Sequence, residues 1–232
     1  MTPDPTQPQP NIWPDDPDAW PHMARALAED ARRTNPRIVF LGDSITQGWG
    51  GEGRAEWDAR FAPLGAANLG IGGDRTQNIL WRIADGALDG LRPELVVLKI
   101  GVNNLWEEVF ECGAGKVANG VAACVSAIHA HCPDAKVLDL GILPTQAAPD
   151  HPLRAIVRAV NARSAALVPT PDGRVRYEDI GAAFLEPDGR ISPDIMPDGC
   201  HLSPRGYALF ADALEPLVQA MLEDCIKSRS GD

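Results

Sequence analysis

Short apolar runs recur along the chain at 37–41, 66–69, 95–100, 136–142 and 174–179, mostly as unbroken Val, Ile and Leu. Continuous rather than alternating hydrophobicity predicts strands buried on both faces. Helical patterns separate them, near 75–85, 115–131 and 152–168, and another precedes the first strand. A further helix follows the last strand. Ser203 can cap it, Pro204 suits its first turn, and Ala208, Leu209, Ala211, Ala213 and Leu214 supply an apolar face. Pro216 is predicted to kink or break that helix. Alternation of strand and helix implies an α/β architecture, with a parallel sheet, right-handed crossovers and helices on both faces. Ligands of such sheets bind beyond the carboxyl ends of the strands, where the strand order reverses.

Residues 1–20 form a separate zone, a Pro-rich N-terminal arm carrying Pro3, Pro5, Pro8, Pro10, Pro14 and Pro17 among polar residues. Trp13 and Trp20 are its large apolar groups. They either anchor the arm to its own domain or reach a second copy in a homodimer. Residues 21–232 show no repeat, linker or low-complexity stretch and read as a single domain.

Composition narrows the partners. A formal net charge of −11 repels phosphates, which argues against nucleic acid and anionic membrane surfaces. No apolar run approaches the length of a membrane span. The N-terminal stretch has neither a basic region nor an apolar core, so no secretory signal is expected. Five cysteines (112, 124, 132, 200 and 225) without CxxC spacing fit reduced thiols in a cytoplasmic protein. His129, His131 and Cys132 do not make a metal site, because i and i+2 on a helix face different ways. No cofactor is implied.

Four segments carry the chemistry. Gly42-Asp43-Ser44-Ile45, Gly72-Gly73-Asp74 and Gly101-Val102-Asn103-Asn104 each follow a predicted strand, and Asp198-Gly199-Cys200-His201 precedes the last helix. Ser44, leaving the end of the first strand, can expose its hydroxyl as a nucleophile. It lacks the GxSxG elbow of the α/β-hydrolase fold. Asp198 stands three residues before His201, a spacing that lets one turn hold the imidazole in one tautomer. A surface Asp/His turn has the same spacing. Gly73 allows a backbone N–H to approach a substrate, and Asn103 offers a side-chain N–H. Each feature alone is ordinary turn chemistry; together they are the parts needed to attack an ester and hold its oxyanion.

With these four blocks the chain resembles the SGNH/GDSL hydrolases, whose naming residues match Ser44, Gly73, Asn103 and His201. The stretches LGDSITQGW, NLGIGGDRTQNILWRI and IMPDGCHLSPRGY are similar to the branch typified by the catalytic subunits of intracellular platelet-activating-factor acetylhydrolase. The resemblance runs from about Trp20 to about Leu217. It implies a flavodoxin-like three-layer α/β/α sandwich with a five-stranded parallel sheet, and a metal-free serine esterase. In that mechanism Ser44 attacks, His201 takes its proton and Asp198 orients His201. The N–H groups of Ser44 and Gly73 and the side chain of Asn103 would bind the oxyanion. Asn104 replaces an aspartate of the wider family, as it does in this branch, and Cys200 is expected to be a packed thiol. A short-chain, preferably acetyl, ester is the expected small-molecule substrate, with O-acetylated carbohydrate as one source. A thioesterase, a lysophospholipase and an arylesterase would use the same residues, and a non-catalytic binding module could keep the fold.

Two charges stand inside predicted strands, Lys99 and Asp139, each two residues before a strand-terminal glycine. If the strand ends are level, they share a face and form a buried ion pair below the site. Otherwise Lys99 reaches solvent, or Asp139 accepts backbone or hydroxyl hydrogen bonds.

Overall fold

A computed structural model describes residues 4–105 and 109–230. Helix α1 (Ala19–Thr34) leads into β1 (Ile38–Gly42), and the short helices α2 (Ser44–Gln47) and α3 (Arg54–Glu56) follow. Next come β2 (Ala66–Gly70), α4 (Thr76–Ala84), β3 (Leu95–Lys99), α5 (Val109–His131), β4 (Lys136–Leu140), α6 (Pro152–Leu167), β5 (Val175–Glu178) and α7 (Pro204–Ser230). All five strands are parallel in the order β2-β1-β3-β4-β5. That is the flavodoxin-like order, and the reversal falls beside β1, the strand that leads to Ser44. Each predicted strand is present, with ends shifted by at most two residues.

The sheet is buried on both sides because its side chains alternate. Ile38, Phe40, Leu95, Val97, Leu138 and Leu140 pack with α7, where Phe210, Leu214, Val218 and Met221 face the sheet. Val39, Leu41, Val96, Leu98 and Val137 face the other way, onto Ile79 and Ile83 of α4 and Val121, Val125 and Ile128 of α5. Helices on both faces of one sheet make the three-layer sandwich.

Helix α7 is capped as expected: the Gly206 N–H donates to Ser203 Oγ at 3.1 Å. It does not end at Pro216, however, but runs on to Ser230. Pro216 lies on the exposed face, so the carbonyl that loses its N–H partner can turn to water. Leu214 before it and Val218 after it are both fully buried, and that packing outweighs the lost bond.

Residues 4–18 lie against the sandwich, and the first three residues of the arm fall outside the described ones. Trp20 is already inside α1 and fully buried, with Ala24 and Ile71, while Trp13 packs at the margin of the same cluster. Both tryptophans therefore anchor the arm to its own chain. Cys124, Cys132 and Cys200 are buried and unpaired; the side chains of Cys112 and Cys225 lie outside the described residues. No helix of the described residues is long and apolar enough to cross a membrane.

The Lys99–Asp139 pair does not form. Lys99 lies opposite Leu140, and Asp139 opposite Leu98. The strand ends are out of level by one residue, which sends the two side chains to opposite faces. Lys99 neither reaches solvent nor meets Asp139; its ammonium lies 3.3 Å from Asp43. Asp139 is buried on the α5 face, and neither of its oxygens has a hydrogen-bond partner among the described residues. Burial holds its carboxyl well above the ordinary aspartate range, which favours the neutral acid over the carboxylate.

Candidate active site

Ser44 is the first residue of α2, immediately beyond the carboxyl end of β1. The chain can turn there because Asp43 caps the helix, its Oδ1 accepting from the Ile45 N–H at 3.0 Å. At Gly42 a Cβ would stand 2.3 Å from the Lys99 carbonyl, so only glycine fits where β1 and β3 part. From the other side the Tyr207 hydroxyl donates to the Ile45 carbonyl at 2.7 Å. Trp49, Phe61 and Phe210 pack around that ring system. Residues flanking the serine are thus fixed on both sides, while Ser44 itself stays partly open to solvent.

Ser44 Oγ lies 2.9 Å from His201 Nε2, and His201 Nδ1 lies 2.7 Å from Asp198 Oδ2. Asp198 is itself held, its Oδ1 accepting from the Cys200 N–H at 2.9 Å and the His201 N–H at 2.7 Å. Gly199, at φ 76°, allows this tight turn. Partial burial works to raise the Asp198 carboxyl, but hydrogen bonds from the His201 ring and from the two backbone N–H groups outweigh it, leaving it at about 2. The carboxylate is therefore ionised at neutral pH. In this chain of contacts Nδ1–H donates to Asp198 and Nε2 accepts from the Ser44 hydroxyl, an arrangement that can draw the proton from Oγ.

The turn after β2 closes the opposite side. Gly72 N–H donates to Gln47 Oε1 at 3.0 Å, which ties the turn to the end of α2. Gly73 is exposed, has φ 79°, and its N–H has no acceptor among the described residues. Asn103 Nδ2 donates to the Asp74 carbonyl at 2.9 Å. That bond occupies one of its two hydrogens and leaves the other for a substrate. The Ser44 N–H, at the open start of α2, has no intrahelical partner. The structure joins Ser44, His201 and Asp198 in one line of contacts; the glycine turn approaches the serine, since a Cβ on Gly72 would lie 3.9 Å from Ser44 Cβ, and Asn103 is tied to that turn through the Asp74 carbonyl.

A second tier of residues was not legible in the sequence. Asp74 is fully buried, accepting from Trp20 Nε1 at 2.7 Å and from Arg82 Nη1 at 2.9 Å. Burial pushes its carboxyl up to about 6, against the pull of Arg82 and Trp20. Arg82 also donates to the Leu69 carbonyl at 2.6 Å. The hub holds the backbone on which both Gly73 and Asn103 depend. An acidic residue in the second block and a lone arginine in an apolar helical pattern were the available signals. Asn104 explains its own place: its Oδ1 accepts from the Thr76 N–H at 3.0 Å and its Nδ2 donates to Gln77 Oε1 at 3.0 Å. An aspartate could make the first contact but not the second. Cys200 packs beside Val102, Ile142 and Val157, and burial raises its thiol. It is a packed side chain. No group of three or more His, Cys, Asp or Glu side chains is arranged to hold a metal among the described residues.

Residues 40–209 match the model of the GDSL-like lipase/acylhydrolase family, a span that contains all four blocks. The chain belongs to that family. Over 207 residues it is 35% identical to the alpha2 subunit of platelet-activating factor acetylhydrolase IB from Rattus norvegicus, covering 89% of this chain and 86% of the relative. Among solved structures it is similar to a GDSL-like lipase from Bacteroides thetaiotaomicron. The TM-score is 0.66 at 22% identity, over 89% of this chain and 98% of the other. It is also similar to a catalytic mutant of an acetylxylan esterase from Geobacillus stearothermophilus, with TM-score 0.60 at 16% identity over 76% and 91%. At such identities the structural likeness shows the fold, which is the one described above. By family, this acylhydrolase is a carboxylic ester hydrolase.

Proposed function

We propose that the chain hydrolyses short-chain esters, with acetyl as the preferred acyl group, by a Ser-His-Asp mechanism. The observation that carries this reading is the unbroken line from Ser44 Oγ through both ring nitrogens of His201 to Asp198, at 2.9 and 2.7 Å. His201 Nε2 takes the Ser44 proton as Oγ forms a bond to the ester carbonyl carbon. Asp198 stabilises the imidazolium that results. Negative charge moves to the carbonyl oxygen, where the N–H groups of Ser44 and Gly73 and the free hydrogen of Asn103 Nδ2 receive it. Collapse breaks the bond to the alcohol oxygen, which leaves with the proton from Nε2. Water, deprotonated by the same nitrogen, then releases the acid and restores Ser44.

The acetyl preference is supported by a relative that is an acetylhydrolase and a structural neighbour that is an acetylxylan esterase. An acidic surface does not favour an anionic lipid interface, so an acetylated carbohydrate is the natural alcohol half. The test is kcat/KM across acyl chain lengths on one leaving group, run beside acetylated sugars. Acetate should lead. A maximum at long acyl chains would replace this reading with a lysophospholipase, and a preference for thioesters with a thioesterase. A fluorophosphonate probe should label Ser44; a protein that binds esters without being labelled would be a binding module.

A further inference from the structure

The Pro-rich arm crosses the front of the 72–74 turn and is fastened on both sides of it. On one side the Pro5 carbonyl accepts from Thr76 Oγ1 at 2.8 Å, Gln9 N–H donates to the Gln77 carbonyl at 3.0 Å, and Asn78 Nδ2 donates to the Gln9 carbonyl at 3.0 Å. On the other, Trp13 packs against the Trp20 cluster. Between these anchors lie Asn11 and Ile12. The Ile12 N–H donates to Asn11 Oδ1 at 3.0 Å, which fixes the carboxamide so that Nδ2 is turned to Gly73. A methyl group on the Gly73 Cα would meet that Nδ2 at 3.5 Å. Nδ2 has no acceptor among the described residues. Ile12, the next residue, is a large apolar side chain that is 64% exposed.

We propose that Asn11 is a specificity-determining residue that walls the acyl side of the cleft and restricts the acyl group to a short chain. This rests on the ester-hydrolysis reading above, and the chemistry assigns the side. The leaving oxygen must receive a proton from His201 Nε2, so the alcohol lies toward His201. The carbonyl oxygen lies at the donors of Ser44, Gly73 and Asn103. Of the four substituents of the tetrahedral carbon, the acyl chain takes the direction that avoids His201 and the attacking Oγ, and Asn11, which faces Gly73 at the border of the oxyanion donors, is the arm residue nearest to it.

The experiment measures kcat/KM for p-nitrophenyl acetate, butyrate and hexanoate with the wild-type protein, N11A and N11Q. It also compares two leaving groups on acetate. N11A should raise the butyrate-to-acetate ratio about tenfold or more, since each methylene in such a pocket is worth that order of discrimination. N11Q should lower it. A ratio that moves by less than about twofold in both variants overturns the proposal, as does a change in leaving-group preference with the acyl ratio constant. A uniform loss across all esters would make Asn11 a support of the fold, and overturns it too. Melting curves check folding, and N11Q with N11S carries the test if N11A melts early. Fluorophosphonate labelling of the wild type separates the two readings. Labelled Ser44 with an unmoved acyl ratio ends the Asn11 assignment alone; an unlabelled wild type ends both.

Discussion

Lys99 Nζ lies 3.3 Å from Asp43 Oδ2, with both side chains at 2% exposure or less, directly beneath the turn that carries Ser44. A buried pair of this kind leaves a costly charge behind when one partner is removed, whereas losing both is milder. Lys99→Met should therefore destabilise the fold by about 3–5 kcal/mol, and the double variant K99M/D43N by distinctly less. Asparagine can still cap α2, so the comparison isolates the charge. Urea denaturation of the wild type and the two variants checks it; equal losses in the single and double variants would count against the pair.

Asp139 presents the opposite case, a buried carboxyl with no hydrogen-bond partner among the described residues. Its folded pKa stands well above its unfolded value, so the folded protein keeps a proton that the unfolded chain gives up. Stability from this group is fullest below the unfolded pKa of about 3.9 and declines as pH rises toward the folded one. Wild type should lose up to about 1.4 kcal/mol per pH unit relative to D139V across that window. Melting temperatures of both proteins as a function of pH provide the check. Parallel curves would mean that Asp139 is not neutral in the folded state.

Ser44→Ala and His201→Ala should each abolish nearly all esterase activity while leaving the melting temperature close to that of wild type. Because the side chains act as one unit, the double variant should be little worse than either single one. Losses that multiplied in the double variant would point to two separate mechanisms. Activity should also survive exhaustive chelation, since no step of the proposed mechanism uses a metal; inhibition by EDTA that added metal reverses would sink it.

Asn103→Ala should lower kcat by about 10²–10³-fold, with KM changed much less, because its donor is needed where charge develops. A change confined to KM would make Asn103 a residue of substrate binding alone.

With Asp198 held at about 2, its carboxylate is ionised across the whole assayable range, so a single proton on His201 should govern the acid side. There kcat/KM should rise with pH at unit slope. A flat profile between about pH 5 and pH 9 would remove His201 as the base.

The strands, the helices, the parallel sheet and the contact line of Ser44, His201 and Asp198 were legible in the chain itself. Their signals are local: continuous apolar runs between helical patterns, glycines where backbone must turn, and Ser203 at a helix start. Asp198 and His201 could be paired from sequence because three residues on one turn need no tertiary information. Register was not legible. Whether Lys99 meets Asp139 or Asp43 depends on a one-residue offset between β3 and β4, set by how all the helices pack on the sheet. Nor did the sequence disclose that Trp20 and Arg82 converge on Asp74, or that Asn11 stands beside Gly73. Those contacts join residues more than fifty positions apart, except Asp74 with Arg82, and only burial of the whole sandwich brings them together. The same burial carried α7 past Pro216, where local propensity alone predicted a kink or a break.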